Sequence, residues 1–486
     1  MILLKQALEI KAGDIMKEKQ KKTPFVEAVR EYVKKGIIPF HTPGHIQGRG
    51  ISAEFKDFWQ QALASDLAEV EHPESGHDYE VPRKEAEALL AELYGATRSF
   101  FLINGTTEGI QALFLAFFTN KDTVLMPRNV HRSAIGGLIL SGAKPKWVYP
   151  EIDQNWGIAT ACNEDVWLNQ ASNVSGAFHL YPNYYGLCPN LDHYLLKGIP
   201  NLVDEAHGPH FPFSTRLPQK ALRPGVTATV QSPHKILSSL TQSSWLHVRE
   251  EKDVHNIARA LGLIESTSPN FLLWASLDAA RAYEATKANR WDELIDKVYK
   301  LRQDLNRIPG LEVYSPQGHK GINECDPLKL MLRATKIGLD GFELRDELRK
   351  RGIMPELAEP QFVLFIITPA HRDKELRALY EALEDITTLK RKSTIKRREL
   401  PVLPQLKAML TPKEAFFSPA KPVKLKEAVG CIAREMIIPY PPGIPLIMPG
   451  EEITKEVIEL TQYYSSLGWP LRGLEDEHAE HIYVIE

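Results

Sequence analysis

VQSPHKILSSLTQ, residues 230–242, is the stretch on which the reading of this chain turns. The β-branched residues before and at its start, Thr227, Thr229 and Val230, predict a strand. That strand ends at Ser232-Pro233-His234-Lys235. A lysine flanked by histidine and apolar residues just past a strand end is a candidate Schiff-base lysine. Partial desolvation lowers its pKa and supplies the neutral amine. An isolated lysine would simply be a surface residue, so the case for Lys235 rests on what precedes it.

Working back along the chain, VDEAHGPH (203–210) runs from apolar residues into Asp204 and Glu205. A carboxylate at a strand's C-terminal end suits a cationic ring nitrogen or a metal. His207 and His210 lack a third ligand at useful spacing, so no metal is expected. DEAH also matches a helicase motif, but that reading needs a phosphate loop, and no GxxxxGK[ST] occurs in the chain. Earlier still, RNVHRS (128–133) places His131 just after a strand and turn, where an imidazole suits either stacking on a planar ligand or capping a helix. NGTTEG (104–109) runs from a strand through Gly and hydroxyl residues into a helix. The free N–H groups and dipole of such a helix start suit a phosphate, with Thr106 and Thr107 as added donors; read alone, an ordinary threonine cap serves as well.

The elements around these loops alternate. Strands are expected at 99–103, 123–126, 146–149, 176–180 and 201–203, and helices at 83–95, 105–118 and 131–141. Such alternation implies a parallel sheet covered by helices on both faces, with ligands beyond the C-terminal strand ends. Upstream, Thr23 is expected to cap a helix over 23–37 that buries Phe25, Val26, Val29 and Val33. Downstream, helices dominate 270–307, and 311–387 suits a smaller α/β domain. A basic run at 390–398 reads as a solvated helix end or linker. The organisation expected is an N-terminal segment (1–50), a large domain (51–300) and a C-terminal α/β domain (301–486).

Bulk properties narrow the class. The chain has 486 residues, 43% hydrophobic and 25% charged, which is ordinary for a globular protein. A formal net charge of -3 offers no field for nucleic acid or an anionic membrane. Cys162, Cys188, Cys325 and Cys431 form no CxxC pair and suggest no disulfide framework. No apolar run approaches the roughly 20 residues of a membrane helix, and a cytosolic protein is expected.

In sequence order the parts are a phosphate cup, a histidine, an acid at a strand end and a lysine. That order, and a set of collinear stretches, resembles the Orn/Lys/Arg decarboxylases in their short form, without an N-terminal wing domain. The stretches are FHTPGHIQG (40–48), INGTTEGIQAL (103–113), MPRNVHRSA (126–134), YYGLCPNL (184–191), VDEAHGPHFPF (203–213), VQSPHKILSSLTQ (230–242), TSPNFLLWASLDAAR (267–281) and PYPPGIPLIMPGE (439–451). The resemblance implies a fold-type I pyridoxal-phosphate enzyme, with a mainly parallel sheet of the seven-stranded type. It also implies a homodimer acting on a basic amino acid, with arginine ranked before lysine and ornithine.

By the same resemblance, Lys235 carries the cofactor and Asp204 pairs with its ring nitrogen, favouring the charged form. His131 stacks on the ring and Ala206 packs on its other face. Thr106, Thr107, Ser232 and His234 hold the phosphate, and Lys235 or His234 delivers the proton. Glu451 and Glu452 are candidates for the substrate's distal cation, as are Asp78 and Glu80. Three positions depart from the family pattern. Ile46 replaces a common lysine, Pro233 stands where threonine is usual, and Glu108 occupies a position where small or hydroxyl residues are common.

Overall fold

Seven short strands form one sheet in the computed structural model. They are β1 (Arg98–Leu102), β2 (Thr123–Pro127), β3 (Lys144–Val148), β4 (Gly176–Leu180), β5 (Asn201–Asp204), β6 (Ala228–Gln231) and β7 (Ser244–Val248). Their spatial order is β1-β7-β6-β5-β4-β2-β3. The pairs β5–β4, β4–β2 and β2–β3 are parallel. These parallel strands, with the helices between them, are the fold expected from the alternation.

The described residues are 17–36, 41–68, 70–72, 76–77, 79–316, 321–388, 404–440 and 443–486. Asp78 and the basic run 390–398 lie outside them.

The sequence reading omits β7. It pairs antiparallel with both β6 and β1, so one end of the sheet departs from parallel geometry. All five of its residues are buried. A strand buried on both faces carries no period-2 alternation to announce it.

Connections out of the strands are tight. Helix α1 (Pro24–Lys34), α2 (Glu80–Tyr94), α3 (Gly105–Phe117) and α4 (Arg132–Ser141) follow the expected helices within a few residues. Gly95 ends α2 with φ of 66°, a left-handed C-cap that glycine adopts without strain. Gly109 lets α3 lie close on the sheet. A Cβ there would stand 2.5 Å from Val230 Cγ1 and 2.8 Å from Leu102 Cδ1. Thr23 occupies the α1 N-cap, but its side chain makes no cap bond; its N–H and hydroxyl both donate to Glu27 Oε1. The buried face of α1 is Phe25, Val29 and Tyr32, with Val26 and Val33 at its margins.

The chain divides into two compact units, Met1–Gly109 with Glu205–Asp292, and Ile110–Asp204 with Glu293–Glu486. In the first, α1 docks on the helix Phe271–Thr286 through Phe25, Phe271 and Trp274, whose rings lie 5.3–5.7 Å apart. Asp278 accepts from Phe25 N and pairs with the buried Arg281, which also binds Gln20. In the second, Glu312–Val313, Lys329–Arg333, Val363–Ile366 and Leu357–Ala358 form a small antiparallel sheet. The helices Gly341–Lys350 and Asp373–Thr387 accompany it. A further core gathers Ile437, Ile447, Ile453, Val457, Ile482 and Val484. No helix of the described residues is long and apolar enough to cross a membrane.

Candidate active site

Lys235 sits on a single 3-10 turn, Pro233–Lys235, that begins two residues after β6 ends. Pro233 occupies the first position of that turn. Its missing N–H costs nothing there and its fixed φ suits the bend. Pro233 O accepts from Leu237 N at 2.7 Å, so the departure from the family pattern still builds the turn. Lys235 is half-buried, and its Nζ lies 2.9 Å from His207 Nε2.

His234 Nδ1 lies 2.8 Å from Ser243 O. A carbonyl only accepts, so Nδ1 carries the proton and Nε2 is left as the lone-pair nitrogen of the neutral ring. Burial holds the His234 pKa below its ordinary value, and the neighbouring Lys235 charge adds to this. The imidazole is therefore kept neutral.

The hydroxyl residues converge. Thr106, at the start of α3, hydrogen-bonds Ser232, and its Oγ1 is 3.0 Å from Ser244 Oγ. Ser244 in turn donates to Gln231 O at 2.6 Å. Thr107, next along the helix, is exposed. The loop that leads into α3 is held from both sides by one residue. Gln242 O accepts from Gly105 N at 2.7 Å, and Gln242 Nε2 donates to Ile103 O at 2.7 Å. Gln242 holds φ of 82°, a costly conformation for a residue with a Cβ, and Gly105 holds 75°. Sequence reading missed Gln242, although it closes the motif that carries Lys235.

Glu205 and Ala206 follow the Asp204 strand end. Glu205 is fully buried. It accepts from Ala221 N at 2.7 Å and from Gln231 Nε2 at 2.8 Å. Gln231 Oε1 lies 3.0 Å from His247 Nε2, and His247 Nδ1 lies 2.8 Å from Ser99 Oγ. Burial pushes His247 down to about 3, so this polar chain contains a neutral imidazole. Ala206 O accepts from Ser232 N, tying the acid-bearing segment to the lysine-bearing one.

Glu108 lies one turn into α3 and is buried. Its Oε2 accepts from Asn104 N at 3.1 Å, while Oε1 has no hydrogen-bond partner among the described residues. Glu80 stands with both oxygens 2.8 Å from Arg83 Nη2, so its charge is already met.

In the second unit, Asp204 is buried at the end of β5, and its carbonyl accepts from Tyr181 N at 3.0 Å. His131 is the N-cap of α4. Its Nδ1 accepts from Ser133 N at 3.2 Å and lies 2.9 Å from Ser133 Oγ. Capping engages one ring nitrogen, Nδ1, so capping and stacking are not rival roles. Gly443, with φ of 90°, closes on this ring; a Cβ there would stand 3.0 Å from His131 Cδ2. Glu451 is buried against Arg128. Its Oε2 accepts from Arg128 Nη2 at 2.9 Å and Met448 N at 2.8 Å. Glu452, beside it, is half-buried. Among the described residues, no group of three His, Cys, Asp or Glu side chains is placed to hold a metal ion.

The residues present fit pyridoxal phosphate on two observations. A buried cluster of three hydroxyls stands at a helix start, and an amine on the turn that follows a strand end rests on an imidazole.

Comparison with known proteins follows the same lines. Residues 23–375 match the Orn/Lys/Arg decarboxylase major domain, and residues 399–472 match the C-terminal domain of that family. An arginine decarboxylase of Bacillus subtilis is 33% identical over 484 residues, covering 96% of this chain and 98% of the relative. The inducible lysine decarboxylase of Escherichia coli is 25% identical, covering 93% of this chain and 79% of the relative. Among solved structures, the lysine decarboxylase of Francisella novicida superposes with a TM-score of 0.82 at 21% identity, over 95% of this chain and 81% of that one.

Proposed function

The chain belongs to the Orn/Lys/Arg decarboxylase family, and on that premise we propose that it decarboxylates arginine with pyridoxal phosphate carried on Lys235. The enzyme class, an amino acid decarboxylase, follows from membership itself. The choice of arginine is supported by the relatives of full matching length, which are named arginine decarboxylases at 31–33% identity.

Within this reading, Thr106, Thr107, Ser232 and His234 hold the phosphate, Asp204 pairs with the ring nitrogen, and His131 and Ala206 cover the two ring faces. When bound, the cofactor supplies an electron sink for the pair released by decarboxylation. The chain's own residues then do three things. They orient the Cα–carboxylate bond, which is the main selection against other outcomes. They hold a buried acid, Asp204, as counter-charge. They also deliver a proton: the Cα–carboxylate bond breaks, carbon dioxide departs, and a proton from Lys235 Nζ takes its place on Cα. His207, 2.9 Å behind that nitrogen, is positioned to relay the proton.

The substrate's distal cation is assigned to Glu452. Glu451 is the weaker candidate because Arg128 already neutralises it. A homodimer, a cytosolic location and an amine product destined for polyamines belong to the same proposal, supported by the family resemblance.

The observation that carries the reading is the amine–imidazole contact of Lys235 and His207 beside the hydroxyl cluster. Carbon dioxide release from arginine, lysine and ornithine in turn, with Lys235→Ala as control, tests it. Release from arginine alone, absent in the control, is expected. An absorbance band from lysine-bound cofactor without release from any of the three would overturn the substrate assignment.

A further inference from the structure

Glu108 is a buried acid of the first unit with no ion-pair partner among the described residues. Its nearest charged neighbourhood is acidic. Glu265, just past the helix Glu251–Ile264, is raised chiefly by burial, against Arg83, and further by the charges of Glu108, Glu87 and Glu80; its Oε1 likewise has no hydrogen-bond partner among the described residues. Arg83 on α2 lies 3.8 Å from Glu265, but it is shared with Glu80 and, at 3.9 Å, with Glu87. Arg98 on β1 is taken by Glu87 at 2.7 Å. With Lys84, 3.3 Å from Glu80, three cations serve Glu80, Glu87 and Glu265, and none of these ion pairs reaches Glu108.

Glu108 also sits on the helix turn whose positive end is the phosphate cup of the proposed reading. A carboxylate there competes with a phosphate for the same dipole and repels it at short range. The relief is a proton. Burial raises both carboxyls, Glu265 to about 7, so the uptake falls in an accessible range.

Building on the cofactor reading above, we propose that Glu108 is a positioning residue of the phosphate cup, and that binding of the cofactor's phosphate is coupled to uptake of one proton by Glu108 and Glu265. The carboxyl orders the loop by accepting from Asn104 N. Its protonation lets a dianion enter the same helix start. A small or hydroxyl residue at this position gives no such coupling, so the linkage requires the glutamate.

The test uses binding rather than turnover. Affinities of the metal-free, cofactor-stripped full chain for pyridoxal phosphate and for pyridoxal are measured by absorbance titration from pH 7 to 9. The phosphate is already a dianion there, its second pKa being about 6. Any titration of Lys235 affects both ligands and cancels in the ratio of their affinities. The ratio reports the phosphate alone. In the wild type, the advantage conferred by the phosphate is expected to fall by up to about tenfold per pH unit, the limit for one linked proton. Glu108→Gln is expected to flatten that slope and to bind pyridoxal phosphate more tightly at pH 8. Glu265→Gln, which removes the like charge from a neighbouring helix, is expected to flatten it too and decides the matter should the first variant fold poorly. Equal slopes in wild type and variants, with a normal lysine-bound band in each, would overturn the coupling and leave the cofactor reading standing. No band from pyridoxal phosphate in the wild type would overturn that reading and the coupling with it.

Discussion

Lys235 Nζ and His207 Nε2 lie 2.9 Å apart, so the amine proposed to carry the cofactor rests on an imidazole. Histidine is the side chain best suited to trade a proton with an amine near neutral pH. His207→Ala is expected to lower kcat/KM by about tenfold to a hundredfold, the low end of general acid–base contributions. It should also shift the pH–rate profile, while His207→Gln restores part of the rate through its amide. Cofactor binding with an unchanged pH profile in His207→Ala would show that the contact is only packing.

The cup is held by Gln242 as much as by its hydroxyls. Gln242→Ala keeps the carbonyl bond to Gly105 but removes the amide bond to Ile103 and leaves a residue with a Cβ at φ of 82°. Weaker pyridoxal phosphate binding by about fivefold is expected, from one lost hydrogen bond worth about 1 kcal/mol. Gln242→Gly loses the same bond but relieves the backbone, so it should unfold at higher denaturant than Gln242→Ala. The pair of equilibrium unfolding curves checks this.

What the sequence disclosed follows physical lines. Asp204, Ser232 and Lys235 were legible as candidates because each stands at or just past a predicted strand end, where ligands gather in α/β sheets. The helices α2 and α3 were legible from apolar spacing and from the glycines at their ends. β7 was not, because five consecutive buried positions carry no alternation. Gln242 and His207 were not singled out for a role because their function depends on partners 137 and more, or 28, residues away, which no local pattern encodes. The Gln242 amide and Ile103 O are 139 apart in sequence. Glu451 was legible as an acid after a proline-rich loop, but its commitment to Arg128, 323 residues earlier, is visible only in three dimensions. The N-cap role of His131 was one of two open readings, and the structure shows the capping geometry.

Glu205 makes stability depend on pH. Burial pushes its carboxyl up to about 7, against the hydrogen bonds from Ala221 N and the Gln231 amide, which favour the charged form. A carboxyl raised in the folded state favours folding while it is protonated. That contribution is complete below the unfolded value near 4.5 and is lost as pH rises through about 7. The urea midpoint of the wild type is expected to fall between pH 5 and pH 8. Glu205→Gln should be less stable at pH 5, since its amide faces the Gln231 amide, yet should show a shallower fall. Parallel slopes in the two proteins would mean that the carboxyl stays ionised throughout and that its hydrogen bonds outweigh its burial.

Arg128 and Glu451 form a pair with side chains 0% and 3% exposed. Arg128 also donates to Pro445 O and Leu446 O, so it fastens the proline-rich loop to the end of β2. Removing one partner strands the other charge in the interior, at a cost of about 3–5 kcal/mol. Arg128→Met and Glu451→Leu are each expected to lose that much in equilibrium unfolding. The double variant should lose clearly less than the sum, because no charge is left unpaired. The same variants separate structure from recognition. With Glu452 as the substrate's acid, Glu452→Gln should raise KM for arginine at unchanged unfolding midpoint. Glu451→Leu should do the reverse in protein that remains folded, lowering the midpoint with KM little altered. A rise in KM confined to the Glu451 variant would transfer the substrate's cation to Glu451 Oε1, the carboxylate oxygen that has no hydrogen-bond partner among the described residues.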